Sequence, residues 1–484
     1  TNTWTGAVDN QWSTLGNWSC GQLPTASTDV VINSGVVQIS GINALASTLT
    51  INGTSALTVV SGNNITVTNA VNVASGASFV LQNNANLAQV NNVSNTGNIT
   101  VNRNSSALMR LDYTLWGSPV TSQNLQSFSP LTLSNRFYQY NSATNLYAAI
   151  APTNNFALGR GYLIRMPDNH PTTPTIWSGQ FTGVPNNGNI NLSMYNGGVG
   201  FGYNAISNPY PSPVSMTSFV NGNAANITGT LYFWRKTNNA ATEPGYCTWT
   251  TAGFVSNGEA QVVNPNGILR TGQGFIVEMS GASTSLSFTN AMRSTNTANQ
   301  FFRTADSTSE VINGDRIWLN VFNTSGANNQ MLVGYFDTAT LGVDFGIDGK
   351  AIEDAQVSLN MDIAGTKYII QGRPPFDAAD IVPLSFKTTF AGSHTIAVDH
   401  LDGIFAGTQN IYLKDNLLNV THDIKASDYS FTSAVGTFDN RFEIHYQNVT
   451  LSVEEQAFAS KLLVYKNTEG LLTVKSQSGN CLIN

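Results

Sequence analysis

The sequence predicts an all-β protein: N-terminal β-solenoid-like repeats, then β-sandwich domains, then a partial C-terminal β-module. Three observations predict it. Short runs of Val, Ile, Leu and Thr recur along the chain, parted by Asn, Gly and Ser. The first hundred or so residues show no helical spacing of apolar positions. Charged residues make up only 10%, against about 25% in ordinary soluble domains. Asn, Thr, Ser and Gly take their place, a balance that suits extended secreted β-proteins better than cytosolic enzymes.

At 484 residues the chain has room for about three domains of roughly 150 residues each. Charge divides it. Up to residue 300 there are 7 acidic and 9 basic residues, and beyond it 21 and 12, giving +2 and −9. A domain boundary near residue 300 follows. No Lys or Arg precedes Arg103, which excludes a nucleic-acid footprint there. The net acidity argues against anionic membranes, and no apolar run reaches the ~20 residues of a membrane helix. The 3 cysteines, Cys20, Cys247 and Cys481, are odd in number and far apart, so no disulfide framework can be read. The chain starts at Thr1 without a Met, as a processed mature chain does.

Residues 1–102 form the first expected unit. Trp4, Trp12 and Trp18 open it as a cap over one end of a stack. Strands are expected at 30–32, 36–39, 48–51, 57–60, 65–68, 71–74, 79–82 and 99–101, with turns at Asn33-Ser34-Gly35, Asn52-Gly53 and Ser75-Gly76. Such short strands cannot bury a face alone. Stacking into a parallel solenoid with Asn and Thr ladders would do it; a small antiparallel sandwich is the alternative.

Residues 103–303 form the second unit, and it contains a duplication. Tyr113-Thr114-Leu115-Trp116-Gly117-Ser118-Pro119 parallels Tyr203-Asn204-Ala205-Ile206-Ser207-Asn208-Pro209. Phe137-Tyr138-Gln139-Tyr140 parallels Tyr232-Phe233-Trp234, and Gly159-Arg160-Gly161-Tyr162 parallels Gly272-Gln273-Gly274-Phe275. The equivalent Arg165 and Glu278 then occupy a position expected to face solvent. Residues 304–449, after the polar stretch 294–299, read as a sandwich of about eight strands. The clearest are 316–322, 331–336, 368–371, 382–386, 394–398, 411–414 and 441–446.

Candidate chemistry is sparse. Asp344 and Asp348, with Glu353-Asp354 following, invite a calcium reading. EF-hand spacing fails, because Gly346 stands at position three and Ala355 at the place of the bidentate Glu. A polar solvated loop is the expectation. Gly198-Val199-Gly200-Phe201-Gly202 resembles a phosphate loop but runs into Asn208-Pro209 rather than a helix, so a turn is expected. His170, His394, His400, His422 and His445 show no zinc spacing, and there is no HExxH or GxSxG. No cofactor is implied. Aromatics of the second unit are the most suggestive surface feature. Trp116, Trp177, Trp234 and Trp249 are candidate platforms for surface glycans, and core packing is the competing reading.

The tail, residues 450–484, is a linker followed by strands at Leu462-Leu463-Val464-Tyr465 and Leu471-Leu472-Thr473-Val474-Lys475, with a turn at Asn467-Thr468-Glu469-Gly470 and a third strand opening at Cys481. This pattern resembles the opening of the type A C-terminal sorting domain of type IX secretion cargo. The Trp-rich opening, the duplicated module and the sandwich together resemble large surface adhesins exported by that system. The resemblance makes Leu462, Leu463, Val464, Tyr465, Leu471, Leu472, Val474 and Lys475 part of a sorting signal. Its implied partners are a shuttle protein and the type IX outer-membrane translocon, and its implied location the surface of a Gram-negative bacterium. Family members continue into a further strand beyond the point where this sequence stops. Asp306-Ser307-Thr308 and Asp337-Thr338-Ala339 match the short glycosylation pattern such cargo carries. The expected function is non-enzymatic adhesion or gliding, with polysaccharide binding and secreted hydrolysis as alternatives and no direct membrane insertion.

Overall fold

In a computed structural model of the chain, the described residues are 1–236, 244–259, 262, 264–295, 312–352 and 355–448, plus the backbone of three tail strands, Leu462–Lys466, Leu472–Ser476 and Gly479–Cys481. The fold is nearly all β. Its first unit is a parallel solenoid of about three turns, each with three strands. Val30, Leu49 and Val71 stack in one sheet, Val37, Leu57 and Phe79 in the second, and Ala44, Ile65 and Leu87 in the third. All nine side chains are buried. Successive turns step by 19 residues (Val30 to Leu49) and 22 (Leu49 to Val71), which blurs any sequence period. The antiparallel alternative does not hold, since the stacked strands pair in parallel.

Polar ladders satisfy the corners. The Asn64 amide donates to Asn43 Oδ1 at 3.0 Å, and the Asn86 amide to Asn64 Oδ1 at 2.8 Å. Stacked amides pair one another where an unpartnered buried amide would be costly. The three tryptophans close the open end. Trp4, Trp12 and Trp18 are buried, Trp18 lies edge-on to both others at 5.1 and 4.7 Å, and its Nε1 donates to Trp12 O.

The strand Ile99–Leu108 runs across residue 102 and pairs with Ser78–Leu81 on one side and antiparallel Thr175–Gly183 on the other. One continuous apolar core joins the solenoid to the duplicated unit. The repeats fold alike. Tyr113–Trp116, Tyr162–Arg165, Phe137–Asn141 and Leu146–Ala149 form one sheet in that order, and Tyr203–Ser207, Gly274–Met279, Ile227–Trp234 and Tyr246–Thr250 a second in the matching order. Each half also carries a short helix, Leu125–Phe128 and Met216–Gly222, capped by Asn124 and Ser215. The Phe in each stacks on a later strand: Phe128 on Phe181, Phe219 on Phe288.

The halves cross as a pseudo-twofold pair. Trp116 bridges Gln273 and Ile206 bridges Arg160, while Gly117 N donates to Gly272 O and Ser207 N to Gly159 O. Gly159 and Gly272 hold the left-handed φ values, +66° and +74°, that this crossing needs. Register places Tyr138 opposite Leu163 and Tyr232 opposite Ile276. So Tyr138 matches Tyr232 and Tyr140 matches Trp234, one residue away from the sequence alignment.

The third unit is a sandwich whose strand Val357–Ile363 changes sheets. Its first four residues pair with Ile381–Thr388 and its last three with Thr366–Arg373. Strands at Val357–Ile363, Val420–Asp423 and Tyr429–Ser433 exceed the expectation. Ala252 and Val255 of the duplicated unit enter its core, and Trp318 Nε1 donates to Phe254 O at 2.9 Å. The tail strands form an antiparallel sheet of their own.

Candidate functional site

Strand parity decides the fate of the four candidate tryptophans. Trp116 and Trp249 are fully buried in the main core, so neither offers a face to a glycan. Trp234 lies on the opposite side of its sheet among Tyr147, at 5.9 Å, and Tyr246, at 5.3 Å. That layer of Tyr113, Tyr138, Tyr140, Tyr203 and their neighbours is half-buried; burial pushes the Tyr140 hydroxyl up to about 12. The indole nitrogen of Trp234 is itself buried. Trp177 is different. It sits half-buried at the edge of a groove of about 780 Å³.

The groove lies between strand Thr175–Gly183 and the segment from Ser122 to Leu131, with Pro167 to Pro171 at one end. Trp177 stands edge-on to Phe128 at 5.3 Å and to Trp116 at 6.0 Å. Its ring is therefore held by the core while one side remains open. His170 Nε2 lies 3.0 Å from Leu108 O and 3.1 Å from Thr175 O, fixing the rim. Ser122 holds a φ of +60°, a region sparsely used by non-Gly residues and enriched at functional sites.

A second groove, about 740 Å³, separates the duplicated unit from the sandwich. A β-bulge at Trp318–Leu319 makes Asp399 an extra residue opposite them. Asp399 and His400 meet there: His400 Nδ1 is 2.6 Å from Asp399 Oδ2, Asn320 donates to Asp399 Oδ1, and His400 stacks on Trp318 at 3.8 Å. His400 Nε2 meets no Ser, Thr or Cys within hydrogen-bond reach among the described residues. Ser427 Oγ reaches His422 Nε2 at 3.2 Å, but Ser427 O occupies the same nitrogen at 2.7 Å. The Thr388–His394 pair is buried.

The Asp344–Lys350 loop is a clasp rather than a solvated turn. Thr250 Oγ1 donates to Ile347 O, Thr251 N and Oγ1 to Gly346 O, and Tyr232 OH to Lys350 O. The loop thereby ties the sandwich to the duplicated unit. Asp348 is buried, and its carboxylate takes Asp344 N at 2.6 Å and Gly372 N at 2.7 Å. Asp344 is occupied by Thr340. No group of three or more His, Cys, Asp or Glu lies in metal-binding arrangement among the described residues. Glu353 and Asp354 lie outside them.

The expectation that Arg165 and Glu278 face solvent is overturned. Both are buried. Arg165 pairs with Asp168 at 2.9 Å, and Glu278 with Lys350 of the clasp at 2.6 Å. Neighbouring segments cover that strand position in both halves, and each charge found a partner. The glycine-rich run at 198–202 is the expected turn, closed by Gly197 N to Phe201 O. Cys20 and Cys247 are free thiols.

Burial pushes the Asp348 carboxyl up to about 7, against the opposing pull of its two N–H donors. A carboxyl raised in the folded state is protonated there after the unfolded chain has ionised. Its contribution to stability therefore falls as pH rises from about 4 to about 7. Urea unfolding at pH 4.5 and 7.5 should show a drop that Asp348→Asn removes, by roughly 2–4 kcal/mol. An identical pH slope in the two proteins would contradict this account.

A protein-family model described as a domain of unknown function (DUF8693) matches residues 3–446. The chain belongs to this family. The DUF8693 span takes in the solenoid, the duplicated unit and the sandwich, and it stops before the tail strands. No curated protein matches the chain, and no solved structure does.

Within the tail, the backbone forms strands at Leu462–Lys466 and Leu472–Ser476, so Leu462, Leu463, Val464, Tyr465, Leu472, Val474 and Lys475 lie on paired strands, whereas Leu471 lies outside the described residues. Asp306-Ser307-Thr308 also lies outside them, while Asp337 and Thr338 are exposed. The groove at Trp177 is only half legible in the sequence: the Trp marks it, but nothing local announces its partners at 122–131. The Asp399–His400 contact depends on a bulge that leaves no composition signal.

Proposed function

We propose that this chain is a non-enzymatic, secreted protein displayed on the surface of a Gram-negative bacterium, exported by the type IX system and used in adhesion or gliding. The observation that carries the reading is the tail. Its three antiparallel strands form a sheet separate from the 11-stranded sheet of the sandwich and lie beyond the family span, as an address attached to a complete body would. A shuttle protein and the outer-membrane translocon are its partners there. The body supports the same reading through its use of charge. Arg316 pairs with Asp402, Arg373 with Asp380 and Arg441 with Asp415, all of them contacts that hold strands together. No described helix is long and apolar enough to cross a membrane.

Deleting Leu462 to Asn484 should abolish surface display in the native host and leave the body folded in the periplasm. Cell-surface protease accessibility reads the outcome. Undiminished display of the shortened chain would sink the export reading. Polysaccharide binding is the second reading, and the open groove at Trp177 favours it.

A further inference from the structure

We infer that the groove beside Trp177 is a binding site for a neutral polysaccharide. The inference rests on the binding, non-catalytic half of the reading above and is independent of the export route.

Four observations point there. First, the groove's volume, about 780 Å³, falls within the ~300–1,000 Å³ of small-ligand clefts. Second, its lining carries no Asp, Glu, Lys or Arg. Amides and hydroxyls line it instead, among them Asn169, Ser178, Gln180 and Thr182, with Ile176 as an exposed apolar contact. Third, Trp177 lines the groove from the inward face of strand Thr175–Gly183, where Phe128 and Trp116 hold it, while Ile176, Ser178, Gln180 and Thr182 line it from the outward face. Its indole N–H has no hydrogen-bond partner among the described residues, so a donor remains for a ligand oxygen. Fourth, Ser122 at the rim holds a strained backbone.

A pyranose ring matches this set. It has an apolar C–H face for the indole and a fringe of hydroxyls for amides and hydroxyl groups. Anionic sugars lack a cation here, and burying an unpaired charge is costly, so the absence of charge selects against them. Addition of a peptide strand along Thr175–Gly183 is disfavoured by Gln123. Its Oε1 already accepts from Thr182 N at 2.7 Å, and a peptide would have to displace it.

The test is titration of the full chain with soluble glucan, mannan, xylan and chitin oligosaccharides, and with polygalacturonate as the anionic control. At least one neutral chain should bind and polygalacturonate should not. Trp177→Ala should weaken binding roughly tenfold or more. Trp177 also packs against the core, so Ile176→Arg provides the second variant. Ile176 is 40% exposed, so this change should leave thermal stability unaltered while blocking the groove with a charge. Trp234→Ala, on the other aromatic layer, should bind as the parent does. No binding by the parent, binding of polygalacturonate alone, binding of an extended peptide instead, or affinity that survives both groove variants overturns the proposal. Each of these results leaves the tail-deletion outcome untouched, so failure here and failure of the export reading are told apart.

Discussion

Asp415→Ala should lower the stability of the sandwich by about 3–5 kcal/mol, the cost of breaking a buried pair on one side. Asp415 is fully buried, and its carboxylate is used from four directions. Arg441 Nη2 donates to Oδ2 at 3.0 Å, Tyr429 OH at 3.1 Å, and Leu417 N and Leu418 N to Oδ1 at 3.0 and 3.2 Å. Arg441 meanwhile lies over Phe431 at 4.6 Å and Phe442 at 4.9 Å. Removing the carboxylate leaves a guanidinium between two aromatic rings with no anion, and two turn N–H groups without an acceptor. Asp415→Asn keeps the shape and part of the hydrogen bonding, and it should cost less. Replacing both charges together, as Asp415→Leu with Arg441→Met, should recover much of the loss, because an apolar pair avoids the desolvation penalty. Denaturant unfolding measures all three. A single-variant loss below about 1 kcal/mol would mean that water reaches Arg441, contrary to the packing described.

Arg293→Ala should cost about 2–4 kcal/mol, since it removes several charge-assisted hydrogen bonds at once. Its guanidinium joins elements far apart in the chain. It donates to Leu87 O on the last solenoid strand, to Asn187 Oδ1 at 2.9 Å and to Ser212 Oγ at 2.8 Å, and it lies 4.6 Å from the Tyr210 ring. Burial pulls it down to about 9, so the position tolerates a cation only because these acceptors converge on it. Arg293→Lys should fail to rescue, because one ammonium cannot reproduce the planar fork. The change should also open the joint between solenoid and duplicated unit to protease near Asn91 before the sandwich unfolds. Simultaneous loss of both regions would instead mean that the whole chain unfolds as one cooperative body.

How far the sequence reveals this molecule varies by element. The solenoid strands are legible because Val, Ile and Leu alternate over short runs between Gly and Asn turns. Asn43–Ala46 and Asn86–Gln89 escape notice because their inward residues are small or follow a polar start. The duplication is legible through its two Gly-x-Gly motifs, where two backbones cross. Its alignment slips by one residue because loop insertions move Tyr138 and Tyr232 out of phase with the flanking motifs. The candidate site is less legible. Trp116, Trp177, Trp234 and Trp249 share a residue type, yet strand parity sends two into the core and one into a tyrosine layer. Parity can be read only once the strand ends are known. Asp348 reads as part of a solvated loop because carboxylates are mostly exposed. Its burial depends on two N–H groups, one of them on a strand 24 residues away.

The solenoid is stoppered at both ends. Three tryptophans close one end. At the other, antiparallel Thr175–Gly183 takes up the last edge of one sheet, while Arg293 reaches the carbonyl of Leu87 in a neighbouring one, and Asn187 and Asn290 reach those of Asn91 and Val90 just beyond its last strand. A parallel stack is by nature a template that accepts another copy of itself, and unprotected edges of this kind seed fibres. Here the duplicated unit acts as a chain terminator. A fragment ending at residue 102 would carry the same coils with the stopper removed, and its natural product would be end-to-end polymer rather than a monodisperse domain.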